Sequence, residues 1–233
     1  MVKFLGESDG ELVFNYLSTD RSALISCVTE YYSKSYLENG VFAMQYIDEK
    51  PVSLCAFGDS FSMLFSSDKT DLEELMFIHN EEIHSPDFLP FGKIGEYYLL
   101  KKSILPNSDF SLENNGNYED FKSVLSLNQS EETVRLQYLF KKGCALPFVL
   151  SENGTKIGVG LIINSENYSV ISHVYVKQEF REKGFGTEIV KNLLKFCKAE
   201  ILYLISEKNN LEFYGKLGFT PVLTVNKYNA KRK

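Results

Sequence analysis

Two glycines stand where an apolar, β-branched run gives way to an amphipathic one. The run is Val174-Tyr175-Val176, and the glycines, Gly184 and Gly186, are preceded by Arg181, Glu182 and Lys183 and separated by Phe185, with Thr187 following. A strand entering a helix through such a turn presents backbone N–H groups that have no intrahelical acceptor. With the helix dipole and the cations of Arg181 and Lys183, that row can hold an anion such as a phosphate, and glycine lets the backbone approach it closely. The same residues also suit a tight corner and nothing more. Neither the dinucleotide fingerprint nor the P-loop fits, because Ile189 stands where a third glycine belongs and no Gly-Lys-Ser/Thr occurs.

A second stretch bears on the choice. Arg181-Glu182-Lys183-Gly184-Phe185-Gly186 resembles the Arg/Gln-x-x-Gly-x-Gly/Ala motif of the GCN5-related N-acetyltransferase (GNAT) family, and Val174–Val176 is similar to the end of that family's fourth strand. Downstream, Phe213-Tyr214-Gly215-Lys216-Leu217-Gly218-Phe219 is similar to the Tyr-x-Lys-Leu-Gly-Phe that closes the family's next helix. The resemblance runs from Tyr118 to about Val225, and its C-terminal part is like the FR47-like and glycine acyltransferase-like branches. Residues 1–105 resemble at most a degenerate half of the same fold, since nothing after Phe65 in them offers a phosphate-binding glycine turn.

The resemblance implies a mixed α/β fold with a mostly antiparallel central sheet flanked by helices, and acetyl-CoA as cosubstrate. It implies that the amides of Glu182, Lys183, Gly184, Phe185, Gly186 and Thr187 hold the pyrophosphate. It implies also that the Val176 backbone, with Tyr175 beside it, pairs with the pantetheine arm, that an amide near Val174 polarises the thioester, and that Tyr214 protonates the departing thiolate. Many members carry Asn where Glu207 stands here, and Asn209 or Asn210 is placed to substitute. Acyl transfer from a thioester to an amine needs these parts: an anion cradle, a donor at the developing oxyanion and a proton for the sulfur. A phenol of ordinary pKa, about 10, keeps its proton at neutral pH and needs no metal beside it. The amine must also lose a proton, for which His173 and Glu207 are the candidates. Simple alternation sets His173 opposite in phase to Val174, and a bulge would reverse it.

Elements must bring these residues together. They begin with Pro147 to Glu152, the turn Asn153-Gly154, and Lys156 to Asn164, a hairpin of type I′ pattern. A strand Tyr168 to Val176, a helix 186 to 198 with Ile189, Val190, Leu193, Leu194 and Cys197 on one face, and a strand Ile201 to Ile205 follow. A helix from about Asn210 to Leu217 ends at Gly218, and a strand near Val222 to Val225 completes the set. Helices are expected at Tyr118 to Leu125 and Ser130 to Lys141. Upstream, the pattern predicts a helix over 18–38 with one buried face, strands Val41 to Ile47, Pro51 to Phe57 and Ser60 to Ser66, a helix Asp71 to Asn80 and a strand Tyr97 to Lys102. The Pro/Ser/Asn/Gly-rich stretch after Leu105 divides the chain into an N-terminal α/β domain, 1–105, and the acetyltransferase domain, 106–233.

Bulk properties set outer limits. A formal net charge of −6 gives no basic footprint for nucleic acid or an anionic membrane. No apolar run of about 18 residues occurs, and the start lacks a secretory pattern, so a cytoplasmic location is expected. The four cysteines lack CxxC spacing, which favours reduced thiols, with Cys144 and Cys197 expected as buried apolar residues. Ile78 to His84, IHNEEIH, places its histidines five apart, not in HExxH order, and reads as a solvated helix end rather than a metal site. The function these residues point to is N-acetylation of a small amine or peptide amino group by direct transfer in a ternary complex. The alternative is a non-catalytic acyl-CoA-binding module. The acceptor, the acyl chain length and the oligomeric state are open.

Overall fold

A computed structural model describes residues 1–32, 42–57, 61–75, 82–105, 116–126, 136–137, 139–165 and 167–230. In chain order its main elements are β1 (Val2–Phe4), α1 (Gly10–Tyr16), α2 (Thr19–Tyr32), β2 (Phe42–Ile47), β3 (Lys50–Phe57), β4 (Ser62–Phe65), α3 (Leu72–Leu75), β5 (Glu82–Ser85) and β6 (Gly92–Ser103). They continue as α4 (Tyr118–Leu125), β7 (Ala145–Glu152), β8 (Thr155–Asn164), β9 (Ser169–Val176), α5 (Phe185–Leu194), β10 (Ile201–Ser206), α6 (Leu211–Lys216) and β11 (Thr220–Asn229). The fold is mixed α/β with mostly antiparallel strand pairing flanked by helices. The chain forms two compact units, one of Met1–Leu99, Ser206–Leu211 and Pro221–Lys233, the other of Leu100–Ile205 and Glu212–Thr220.

In the first unit the strand order is β1-β2-β3-β4-β5-β11, antiparallel throughout except for the parallel β4/β5 pair. Asp48 and Glu49, both left-handed at φ 48° and 63°, make a two-residue turn, so that Lys50 already pairs with Ile47. Ala23, Leu24 and Ile25 are buried in succession, so α2 is covered on more than the one face its periodicity suggests. The side chains of Val28, Tyr31 and Tyr32 lie outside the described residues.

One expectation is overturned here. Glu82–Ser85 is not a solvated helix end but a strand, paired with β4 on one side and β11 on the other, and His84 is only 5% exposed. Both neighbouring strands are distant in sequence, so local pattern could not reveal them. Nε2 of His84 lies 2.7 Å from Glu82 Oε1 and Nδ1 lies 3.3 Å from the Tyr97 hydroxyl, while Phe61 stacks on the ring at 3.8 Å.

In the second unit the order is β10-β9-β8-β7, with β7/β8 and β8/β9 antiparallel and β9/β10 parallel. The hairpin turn is as its residues demand, Asn153 at φ 49° and Gly154 at φ 77°. Helix α5 lies hard against β8. A Cβ on Gly160 would fall 2.6 Å from both Ile189 Cγ2 and Leu193 Cδ1, and one on Gly158 2.8 Å from Ile189 Cδ1. Asn164 ties the start of the parallel pair: its Oδ1 accepts from Ser169 Oγ (2.6 Å) and the Lys198 amide (3.1 Å), and its Nδ2 donates to Phe196 O (3.1 Å). Cys197 is buried, whereas Cys144 is only half-buried. Most of the predicted helix Ser130 to Lys141 lies outside the described residues.

Candidate active site

Among the described residues, strand β9 has no partner on one side beyond its midpoint. Its pairing with β10 runs from Leu202↔Ser169 to Leu204↔Ile171, while β9 itself continues to Val176. On the other side the register with β8 slips, Ser172 facing Leu161 and Tyr175 facing Val159, so His173 and Val174 together oppose Gly160. This is the bulge that the phase argument left open. His173 takes φ 53°, its Nδ1 lies 2.5 Å from Ser172 Oγ, and its ring meets Phe121 of α4 edge-on at 5.8 Å. Phe121 is fully buried, so this histidine stands at the margin of the core beside α4.

The direction of the Val176 carbonyl follows from a trans peptide. The Lys177 amide donates to Ile157 O on β8 (2.9 Å), and the C=O of the same peptide unit therefore points away from β8, to the open side. There it accepts from Arg181 Nε at 3.0 Å, with the guanidinium 5.7 Å above the Tyr175 ring.

After a short 3-10 turn at Gln178–Phe180, Glu182 (φ 64°) and Gly184 (φ 85°) are left-handed on either side of Lys183, whose φ is negative. Alternation of this kind turns successive N–H groups toward one side, and Gly184 is the N-cap of α5. A Cβ built on Gly184 meets nothing within 4 Å. The glycine is needed for its backbone angle rather than for want of room, and the left-handed residues on either side of Lys183 give the turn the form of an anion-binding nest that fits a phosphate group. Lys183 Nζ sits 5.3 Å from the Phe180 ring, leaving its charge beside the turn. A Cβ on Gly186 would touch Phe213 Cζ at 3.4 Å, and Tyr214 follows on α6. The turn and the tyrosine-bearing helix are thus in contact.

Helix α6 ends in a Schellman motif: Gly218, at φ 83°, donates to Gly215 O (2.9 Å) and Phe219 to Tyr214 O (3.1 Å). Lys102 Nζ adds a bond to Leu217 O at 2.7 Å. Tyr214 is half-buried, its ring meeting Phe213 and Phe219 edge-on, and desolvation pushes its phenol up to about 12. The ordinary value assumed from sequence is therefore corrected upward.

Glu207, Asn209 and Asn210 fall in the first unit, exposed on the 3-10 turn Lys208–Asn210, where the Asn210 amide donates to Glu207 O (3.1 Å). His173, Val174, Tyr175, Val176, Arg181 to Thr187 and Tyr214 all fall in the second unit, where contacts join Tyr175 and Val176 to Arg181 and Gly186 to Phe213. Sequence reasoning missed the Arg181 side-chain bond and the Lys102 cap, for which no local signal exists.

The turn of the first unit between β4 and α3 is closed by its own side chains. Ser66 N donates to Asp87 Oδ2 (2.7 Å), Ser67 N to Thr70 Oγ1 (2.8 Å), Asp71 N to Gln45 Oε1 (2.8 Å) and Glu74 N to Asp71 Oδ1 (3.1 Å). Those amides have no donor left for a ligand.

Residues 115–219 match the family model described as Acetyltransferase (GNAT) family. The chain is 30% identical over 95 residues to the Bacillus subtilis (strain 168) protein named Uncharacterized N-acetyltransferase YobR, a match covering 38% of each chain. The present chain therefore accounts for well under two thirds of that relative's length. A GCN5-related N-acetyltransferase from Sphaerobacter thermophilus shares the fold at TM-score 0.56 and 9% identity, covering 89% of this chain and 86% of that one. One from Kribbella flavida does so at TM-score 0.53 and 10% identity, covering 78% and 87%. The left-handed glycine turn, the strand edge beside it and the match to the acetyltransferase (GNAT) family model fall on the same stretch, residues 115–219.

Proposed function

We propose that the chain is an acetyl-CoA-dependent N-acetyltransferase that acts on a small amine or peptide amino group by direct transfer in a ternary complex. The observation that carries this reading is the Gly186–Phe213 contact, which joins the amide row to the helix bearing Tyr214. The amides of Glu182 to Thr187 bind the pyrophosphate, with Lys183 adding charge. The open side of β9 from Val174 to Val176 takes the pantetheine arm as an added strand. The bound thioester supplies the acyl group. Tyr214 donates a hydrogen bond to the sulfur as it leaves; at a pKa of about 12 it holds its proton throughout the neutral range. Each unit by which its pKa exceeds that of the thiol opposes full transfer by about 1.4 kcal/mol, and desolvation of the thiolate reduces that gap.

His173, at the bulge, and Glu207 are the candidate bases, and Asn209 or Asn210 takes the place of the asparagine that the family pattern sets at Glu207. Direct transfer agrees with the burial of Cys197, which raises the pKa of its thiol and leaves the S–H donating to Ala199 O. The acidic net charge favours a cationic acceptor over nucleic acid. The first 105 residues are read as a degenerate half of the same fold: β2-β3-β4 followed by parallel β5 repeats the β7-β8-β9 and β10 arrangement, with its turn closed by side chains. The FR47-like assignment rests on the Tyr214–Phe219 segment, and the domain boundary at 105/106 on composition. Among the described residues no helix is long and apolar enough to cross a membrane and no group of three metal-ligating side chains occurs.

The raised Tyr214 phenol also favours a second reading, a non-catalytic acyl-CoA-binding module. One experiment separates them. Coenzyme A should raise the melting temperature, and free-thiol release from acetyl-CoA should appear with a member of an amine, polyamine and peptide panel. Stabilisation without thiol release across the panel would support the binding module, and no stabilisation at millimolar coenzyme A would sink both.

A further inference from the structure

Arg181 does not reach toward the amide row through its charge alone; it is held by the strand. Its Nε donates to the Val176 carbonyl at 3.0 Å and its guanidinium lies over Tyr175. That carbonyl points to the side of β9 that β10 leaves open, beyond the last pair Leu204↔Ile171. A ligand laid along this edge as an added strand would use successive backbone donors and acceptors, and at Val176 the carbonyl already accepts from Arg181, so a ligand donor there has to share it. A strand-like ligand whose final rung is contested in this way gains least by sliding one step further. A glutamine side chain places its amide N–H donor the same number of bonds from the backbone as Arg181 Nε and carries no charge, so it separates donation from charge.

Resting on the acyl-donor reading above, we infer that Arg181 is a positioning residue that sets the register of the pantetheine arm on β9, ending the ladder at Val176 so that the thioester stops beside the bulge at His173–Val174. The role needs a neutral donor of the right length and no contact with phosphate.

The test compares Arg181→Gln and Arg181→Ala with the wild-type chain, using titration calorimetry with coenzyme A and isotope-edited infrared spectra of bound acetyl-CoA labelled at the thioester carbonyl. Arg181 is exposed, so neither change threatens folding. The expected result is a single shifted carbonyl band in the wild type and in the glutamine variant. In the alanine variant that band should broaden toward the free position, with coenzyme A affinity changed by no more than about threefold. Equal losses of affinity in both variants, about tenfold or more, with the band unchanged would show that Arg181 acts as a phosphate-binding charge and overturn the inference. An unchanged band and affinity in the alanine variant would overturn it too. No binding of acetyl-CoA to the wild-type chain would remove the acyl-donor reading and this inference together, an outcome distinct from the other two.

Discussion

The ring of Phe219 packs edge-on against Tyr214, 5.9 Å between centroids and 76° between planes, because the chain reverses at Gly218 between them. The helix cap and the aromatic contact are one motif: Tyr214 lends its carbonyl to the Phe219 amide and its ring to the Phe219 side chain. A candidate acid at the end of a six-residue helix is held by the way that helix stops.

Replacing Gly218 should therefore act on both stability and chemistry. Gly218→Ala forces a side chain into φ 83° and sets a Cβ 2.5 Å from Lys102 Nζ, which must swing away from Leu217 O. We expect about 1–2 kcal/mol of destabilisation in denaturant melts, with thiol release falling further than stability does because Tyr214 moves.

Gly160 and Gly184 should separate packing from ligand binding. Gly160→Ala drives a methyl into Ile189 and Leu193, both buried, and should cost about 1–3 kcal/mol in urea melts. Gly184→Ala meets no atom, yet it must hold φ 85°, and relaxing that angle would turn the amides of the row away from one another. Calorimetry should show coenzyme A affinity falling about tenfold or more, with a stability loss of about 1 kcal/mol. Unchanged affinity would show that the row is only a corner.

Tyr214→Phe should lower the thiol-release rate by about 10²–10⁴-fold while coenzyme A binding is retained. In the wild type the phenol, pushed up to about 12, stays protonated well past its ordinary range. An alkaline limb at about pH 10, the ordinary phenol value, still present in the phenylalanine variant, would belong to another group.

His84 should make the chain less stable in mild acid. Burial lowers its pKa against the opposing pull of Glu82, with Lys227 also lowering it and the Tyr97 hydroxyl at Nδ1. The unfolded chain takes up this proton at about pH 6.5, the folded chain only at lower pH. Between those values the unfolded state binds more protons, so stability decreases as pH falls. Melting temperatures measured from about pH 7.5 to 5 should drop more steeply in the wild type than in His84→Gln. Parallel curves would exclude His84 as the source.

Wherever one short peptide decides the backbone, the sequence was readable. Asn153-Gly154, the Gly184 turn and the Gly218 cap all adopt the left-handed angles their residues imply. The bulge at His173 was legible only as an option, since nothing in Ser172-His173-Val174 specifies φ 53° there; the register against Gly160 does. Strand β5 was missed because four residues, most of them polar, become a strand only between partners far away in sequence. Strand β1, three residues long, was missed for the same reason. The Arg181–Val176 bond and the tyrosine's high pKa come from proximity and desolvation, which no spacing rule encodes.

Strand β11 gives the first unit its closing pair with β5, from Asn226↔Ser85 to Asn229↔Glu82. Residues 221–230 are synthesised after all of the second unit. During translation the earlier-made half must therefore wait with the β5 edge uncovered while the later-made half can already assemble. A nascent chain stalled before Pro221 would expose that edge to chaperones or to other chains, and a lesion at the far end of the message would be felt by the protein's beginning.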